Sequence, residues 1–222
     1  MKKIGLLTIG QSPRDDVLPG LLEILGEGYE ITEAGALDDL TLEDINKVEF
    51  QHDDYILFSR MRDGTEVKFT KRFVLPLLQD KILMLEKQGV KLIVIMCTGK
   101  FPKFKSDGLV VTPQEILKGV VEGTLKEGRL GVVFPAAEQV SEADESLNMK
   151  GVEVYADHMS PYDQEIEVYP LARRLKEKNL DLIFLNCFGF NSHVKRVISE
   201  ETGVPVIQSN ALIARVLKEL IY

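Results

Sequence analysis

The chain has 222 residues, 45% of them apolar and 28% charged, and a formal net charge of −8 at pH 7. That balance belongs to an ordinary globular protein with a core large enough to need no disulfide staples, and the length suits one large α/β domain or two of about 100 residues each. A net negative chain without a basic stripe argues against nucleic acid or an anionic membrane as partner, and no apolar run approaches the roughly 18 residues of a membrane span.

Met1-Lys2-Lys3 leads directly into a short apolar strand, so no export signal is expected. The two cysteines, Cys97 and Cys187, are therefore expected to be reduced thiols in the cytoplasm. Lys3 to Ile9 reads as a buried strand, and Gly10-Gln11 turns the chain. Ser12-Pro13-Arg14-Asp15 predicts a helix start, with Ser12 as N-cap, Pro13 in the first helical position and Asp15 as the capping-box acid. That helix should run to about Gly26, interrupted or kinked at Pro19. Tyr29 to Ala36 is a second strand, Thr41-Leu42-Glu43-Asp44 caps a short helix, and Tyr55 to Arg60 is a third strand. Asp63-Gly64 marks a hairpin between Ser59–Arg62 and Thr65–Phe69. An amphipathic helix follows from Lys71 to Gln88, kinked at Pro76 and ended by Gly89. After Cys97 come a loop to Gly108, a strand at Leu109–Val111, and Thr112-Pro113-Gln114-Glu115, which opens a helix reaching about Lys126.

The pattern then restarts. Gly128–Pro135 matches the first strand, with a helix near Glu138–Leu147, a strand at Val152–Ala156 and a helix at Gln164–Lys178. Helix Ser192–Glu201, strand Val204–Ile207 and helix Ser209–Leu220 complete the chain. Leu92–Gly99 and Leu182–Gly189 are continuous apolar runs that each end in cysteine, one more residue and glycine. Such runs predict strands buried on both faces of a parallel sheet, with each cysteine at the carboxyl edge where open α/β sheets bind ligands. The expected fold is α/β with two pseudo-symmetric parallel-sheet halves. One is residues 1–111 joined by the C-terminal helix 209–222, and the other is residues 112–208.

Two halves with one cysteine each resemble the aspartate/glutamate racemase superfamily, which includes hydantoin racemases, maleate isomerases and arylmalonate decarboxylases. More closely, Thr8-Ile9-Gly10-Gln11-Ser12-Pro13-Arg14-Asp15-Asp16 with Ser59-Arg60-Met61-Arg62-Asp63-Gly64-Thr65 resembles the AroM family over essentially the whole chain. The family name implies a gene near those of aromatic amino-acid biosynthesis. The superfamily resemblance implies chemistry without a cofactor: a thiolate removes the proton beside a carboxylate, and a thiol on the other face returns one. The sequence departs from the racemases, which carry Cys-Asn-Thr and Gly-Cys-Thr, where this chain has Cys97-Thr98 and Asn186-Cys187-Phe188. Phe188 stands where a hydroxyl residue would help hold the substrate carboxylate.

Glycine turns and helix starts after each cysteine would offer backbone N–H groups to a thiolate or a carboxylate. Gln11, Ser12, Arg14, Arg60, Thr98, Gly99, Thr112 and Phe188 are the candidate substrate-binding residues, with Arg62 a further clamp and Lys100, Lys103 and Lys105 a cationic lid. Each has a plainer reading. A strand cysteine is usually a small apolar core residue. Ser12-Pro13 and Thr112-Pro113 cap helices, Arg60 and Arg62 are hairpin surface charge, and the lysines are solvated. His193, six residues after Cys187, reads as helix surface, and neither His52 nor His158 has a metal-ligand spacing. Gly5–Ser12 mimics a phosphate loop but has Gln11 where lysine is required, and its interior is apolar strand.

The sequence thus predicts a cofactor-independent racemase- or isomerase-like enzyme acting beside the carboxylate of a small acid through Cys97 and Cys187, with no metal and a homodimer as the superfamily default. The alternative is a non-catalytic small-carboxylate-binding or regulatory protein on the same fold.

Overall fold

The computed structural model describes residues 2–142, 147 and 149–221. In chain order the elements are β1 (Lys2–Thr8), α1 (Leu18–Leu25), β2 (Tyr29–Gly35), α2 (Leu42–Asn46), β3 (Ile56–Arg60), β4 (Glu66–Thr70), α3 (Lys71–Lys87), β5 (Leu92–Ile95), β6 (Leu109–Val111) and α4 (Pro113–Thr124). The second run is β7 (Gly128–Phe134), a 3₁₀ turn at Ala137–Glu142, β8 (Val152–His158), α5 (Gln164–Lys176), β9 (Leu182–Leu185), α6 (Ser192–Thr202), β10 (Val206–Gln208) and α7 (Ser209–Ile221). The chain divides into two compact units, one of Met1–Asp15 with Gly26–Pro113 and one of Asp16–Leu25 with Gln114–Tyr222.

The first unit is built on a parallel sheet in the order β2-β1-β5-β6. β1 and β5 are its inner strands, and Ile4, Leu6, Leu7, Val94 and Ile95 are fully buried, which is why these strands read as unbroken apolar runs. α3 covers the sheet with Val74, Leu78, Ile82 and Leu85, a stripe at helical spacing that joins Leu7, Ile93 and Ile95 in one core. Pro76 lies on the exposed side of a helix that continues past it. Thr41 and Asp44 close the expected capping box at α2. β3 and β4 pair antiparallel around Asp63-Gly64, where Gly64 adopts φ +93°, a conformation open to glycine.

The second unit repeats that order. Its parallel sheet runs β10-β9-β7-β8, so β7, β8, β9 and β10 take the places of β1, β2, β5 and β6. α5 and α6 pack together over Val168, Leu171, Leu175, Val194 and Ile198.

The structure departs from the sequence reading in three places. The helix expected from Ser12 starts at Leu18, with turns over residues 15–17. Pro19 consequently lies in the first turn, where its missing N–H is harmless, and interrupts nothing. The C-terminal helix, expected with the first half, groups with the second unit, as do residues 16–25. The reason is apolar complementarity. α1 buries Leu21 and Leu25 and packs on α7, which buries Ile213, Ala214, Leu217 and Ile221. Lys218 Nζ ties the two helices by donating to the Ile24 carbonyl at 3.0 Å. Of the helix expected near 138–147, a 3₁₀ turn forms over Ala137–Glu142, and residues 143–146 lie outside the described residues.

On edge strand β8, Asp157 is 8% exposed and receives Arg174 Nε and Nη2 at 2.8 and 3.0 Å, with the His158 N–H at 2.8 Å. Burial alone would raise the Asp157 pKa, but the Arg174 hydrogen bond, the His158 N–H and the Arg174 charge outweigh it and hold the carboxyl below its usual range. A depressed carboxyl pKa contributes stability that is complete above the unfolded value of about 4 and is lost as pH falls through the folded pKa. Arg174→Met should therefore cost about 1–2 kcal/mol at pH 7 and flatten the acid limb of stability against pH. Urea titrations of both proteins between pH 3 and 7 measure this, and parallel acid limbs would count against it.

Candidate active site at the sheet edges

Beyond β1 the chain turns sharply through Ile9-Gly10-Gln11-Ser12, and one carboxylate holds that turn. Asp38 Oδ1 accepts the Ser12 N–H at 2.7 Å, while Oδ2 accepts the Ser12 hydroxyl at 2.9 Å and the Gly35 N–H at 2.7 Å. Arg62 Nη2 completes the set 3.5 Å from Oδ1. Ser12 is thus bonded to Asp38 rather than capping a helix, which explains why α1 starts six residues later at Leu18. A methyl group on Gly35 would lie 2.5 Å from Asp38 Oδ1 and 2.6 Å from both the Gly10 carbonyl and the Ser12 nitrogen, so the cluster closes only around a residue without Cβ.

The Gln11 amide is fully engaged. Its Nε2 donates to the Leu37 and Leu40 carbonyls at 3.0 and 2.9 Å, and its Oε1 accepts the Arg62 N–H at 2.9 Å. Arg62 Nε donates to the Ser12 carbonyl, so that side chain braces the turn instead of pointing to a ligand. Arg14 is 5% exposed; its Nη1 donates to Thr8 Oγ1 at 3.0 Å and its backbone N–H to Glu33 at 2.9 Å. Arg60 contributes its carbonyl to the Gln11 N–H, and its guanidinium lies against Gly64. Sequence reasoning missed Asp38 and Glu33, because ordinary acids near strand ends carry no motif. It also missed Ser59, whose hydroxyl is buried without a hydrogen-bond partner among the described residues.

Cys97 lies two residues past β5, beside β1, with the Met96 N–H on the Leu7 carbonyl at 2.8 Å. The half-buried thiol accepts the Gly99 N–H at Sγ, 3.4 Å away. Leu57 of β3 and Phe101 pack around Gly99, so the hairpin roofs this turn. Thr98 and Thr112 are half-buried, the latter directly after β6. Lys100, Lys103 and Lys105 are exposed, but the loop carrying them is pinned: Gln79 bonds both backbone groups of Lys105, and Glu86 accepts the Ser106 hydroxyl and the Asp107 and Gly108 N–H groups. The Ser106 hydrogen bond leads the causes that hold the Glu86 carboxyl below its usual range. A hinged cationic lid is not what this loop is.

The second unit repeats the thiol geometry. Cys187 lies two residues past β9, the Asn186 N–H bonds the Val133 carbonyl at 2.9 Å, and the Gly189 N–H reaches Cys187 Sγ at 3.3 Å. Phe188 is 3% exposed, and its carbonyl accepts Asn210 Nδ2 at 2.8 Å, so it anchors the turn to the start of α7. Gln208 and Asn210 both donate to the Phe190 carbonyl. His193 lies 3.0 Å from Arg196 on its own helix, His52 is beside exposed Asp53, and His158 is beside Asp157. Among the described residues no group of three His, Cys, Asp or Glu side chains could hold a metal ion, and no helix is long and apolar enough to cross a membrane.

Each half-buried cysteine therefore has a glycine N–H at its sulfur in a turn directly after an inner strand. The Asp38 cluster decides whether the neighbouring β1 turn keeps its shape. Asp38→Ala should unfold at lower urea, a loss of about 1–3 kcal/mol, because it orphans the Ser12 and Gly35 donors. Asp38→Ala stability equal to the parent protein would show that the cluster is dispensable.

A search of curated proteins found no match. The fold has well-populated company among solved structures. Allantoin racemase from Pseudomonas fluorescens aligns with TM-score 0.64 and 15% identity, covering 99% of this chain and 90% of that one. Glutamate racemase from Francisella tularensis, solved with D-glutamate, aligns with TM-score 0.59 and 17% identity over 99% and 81%. Arylmalonate decarboxylase aligns with TM-score 0.59 and 15% identity over 97% and 91%. At those identities the likeness establishes the racemase-like fold. The model of the family described as AroM protein matches residues 4–221, and the chain belongs to the AroM family.

Proposed function

We propose that this protein is a cofactor-independent racemase or isomerase that moves a proton on the carbon beside the carboxylate of a small acid. The observation that carries the proposal is the pair of thiol turns. The only two cysteines of the chain occupy equivalent positions in two sheets of the same strand order, each with a glycine N–H on its sulfur. We infer that the two units descend from one duplicated half. The known racemases and the decarboxylase of this fold lend support by analogy of fold.

In the proposed reaction the thiolate of one cysteine takes the proton from the carbon, becoming a thiol and leaving the electron pair delocalised into the carboxylate. The other cysteine thiol then gives its proton to the opposite face of that carbon and becomes the thiolate, so nothing is consumed. The reading requires both sulfurs to reach one carbon. Thr98, Gly99, Thr112 and Arg60 are the groups proposed to hold the carboxylate. Gln11, Ser12 and Arg14, with Arg62, act as positioning residues of the β1 turn, consistent with their internal hydrogen bonds. Phe188, buried and bonded through its carbonyl, supports the second thiol turn. A soluble homodimer in the cytoplasm is the assembly and location we propose with this activity.

A second reading is a non-catalytic small-carboxylate-binding or regulatory protein on the same fold. It is favoured by the internal engagement of Gln11 and Ser12 and by phenylalanine at position 188. Deuterium wash-in separates the two. With the protein in heavy water and pools of amino acids, 2-hydroxy acids and malonates, the enzyme reading expects loss of one C–H signal by NMR, slowed roughly 100-fold or more in Cys97→Ala or Cys187→Ala. Exchange unaffected by either substitution would remove the cysteines from the mechanism. Binding of an acid, seen as a rise in melting temperature with no exchange, would establish the second reading. Thiol reactivity gives an independent check: at neutral pH both cysteines should be alkylated faster than those of the urea-unfolded chain, and a bound carboxylate should protect them. Rates no faster than in the unfolded chain would contradict an activated thiolate.

A further inference from the structure

The second unit contains a cleft of about 780 Å³ lined by residues 16–24 at α1, by the start of α6, and by residues 208–218 from β10 and along α7. Three cations face it, Lys195 from α6 with Arg215 and Lys218 from α7, while Asp16 and Glu23 line it from the α1 side. Lys218 is committed, since its Nζ donates to the Ile24 carbonyl at 3.0 Å. Arg215 uses Nη1 on the Ala211 carbonyl of its own helix at 2.8 Å. Among the described residues neither Lys195 nor Arg215 forms an ion pair with a carboxylate.

That placement is electrostatically unfavourable in three ways. Lys195 sits in the first turn of α6, where the positive end of the helix dipole opposes a cation. It is half-buried, and Arg215 adds a like charge. Burial first and the Arg215 charge second pull the Lys195 ammonium below the ordinary lysine range. The start of α6, where Asn191 Oδ1 accepts the Val194 N–H at 3.0 Å, also turns its N–H groups toward the same end. An anion in the cleft would offset each of these penalties.

We propose that this cleft is an oxyanion-binding site, in which Lys195 and Arg215 clamp the phosphate or carboxylate group of a small molecule at the start of α6. The two acids on the α1 side limit the net positive charge, which suits one compact oxyanion group over a nucleic-acid backbone. Gln208 and Asn210, which brace the Cys187 turn, also line the cleft, but neither Lys195 nor Arg215 bonds that turn, so the clamp can be tested separately from the thiol chemistry.

The test is a titration of the full chain with inorganic phosphate, with sulfate and with malonate, against sodium chloride at matched ionic strength, read by calorimetry and by melting temperature. A saturable rise with phosphate or with malonate is expected, and the arm that saturates at lower concentration identifies which group the site takes. Lys195→Met and Arg215→Met should each weaken that binding about ten-fold or more, whereas Cys97→Ala and Cys187→Ala should leave it unchanged. Lys195→Gln, also uncharged but polar, repeats the test should the methionine variant melt early in chloride alone. No saturation beyond chloride in any arm would overturn the proposal. So would retention of full affinity in either uncharged variant, or loss of binding in a cysteine variant.

Discussion

The register between the inner strands governs the rest of the structure. Leu7 pairs with Ile95 in one sheet and Val133 with Leu185 in the other, and in both the next N–H of the cysteine-bearing strand bonds back to the inner partner. Each cysteine therefore follows one residue after the last cross-strand bond. A slip of one residue would turn the side chains of β5 and β9 to the wrong faces and carry the thiols with them. Because these strands are buried on both faces, apolar packing penalises any slip, and the placement of each cysteine is inherited from the core.

What lies outside the strands is organised by polar groups taken up internally. Asp38 collects donors from two turns, Gln11 spans from the β1 turn to residues 37–40, and Arg62 returns from the hairpin to the Ser12 carbonyl. The first unit so ties together the turn after β1, the turn after β2 and the hairpin. The second unit reaches a comparable end by other residues, with Ser209, Gln208 and Asn210 tying the Cys187 turn to α7. Equivalent backbone geometry supported by unrelated side chains explains why the likeness between the halves is clear in element order and faint in residue identity.

The two kinds of polar feature carry different implications. Asp157 with Arg174 is satisfied within the fold and reads as structure. Lys195 is half-buried beside the exposed Arg215 and has no carboxylate partner among the described residues, which is the observation behind the proposed oxyanion site.

Element order and the two parallel-sheet halves were legible in the sequence, because doubly buried strands leave continuous apolar runs and Asp63-Gly64 and Thr41 to Asp44 are local grammars with local causes. Ser12-Pro13-Arg14-Asp15 shows where that reading ends. As a string it is a helix start, but Asp38, 26 residues away, bonds Ser12 and delays the helix. The placement of α1 and α7 in one unit is likewise a matter of matching apolar faces far apart in the chain. Periodicity and capping act over a few residues, so the sequence alone determined the elements and their order. Hydrogen-bond partners and unpaired charges depend on which distant groups meet, so only the tertiary structure decided which polar residues are bound internally and which remain open to a ligand.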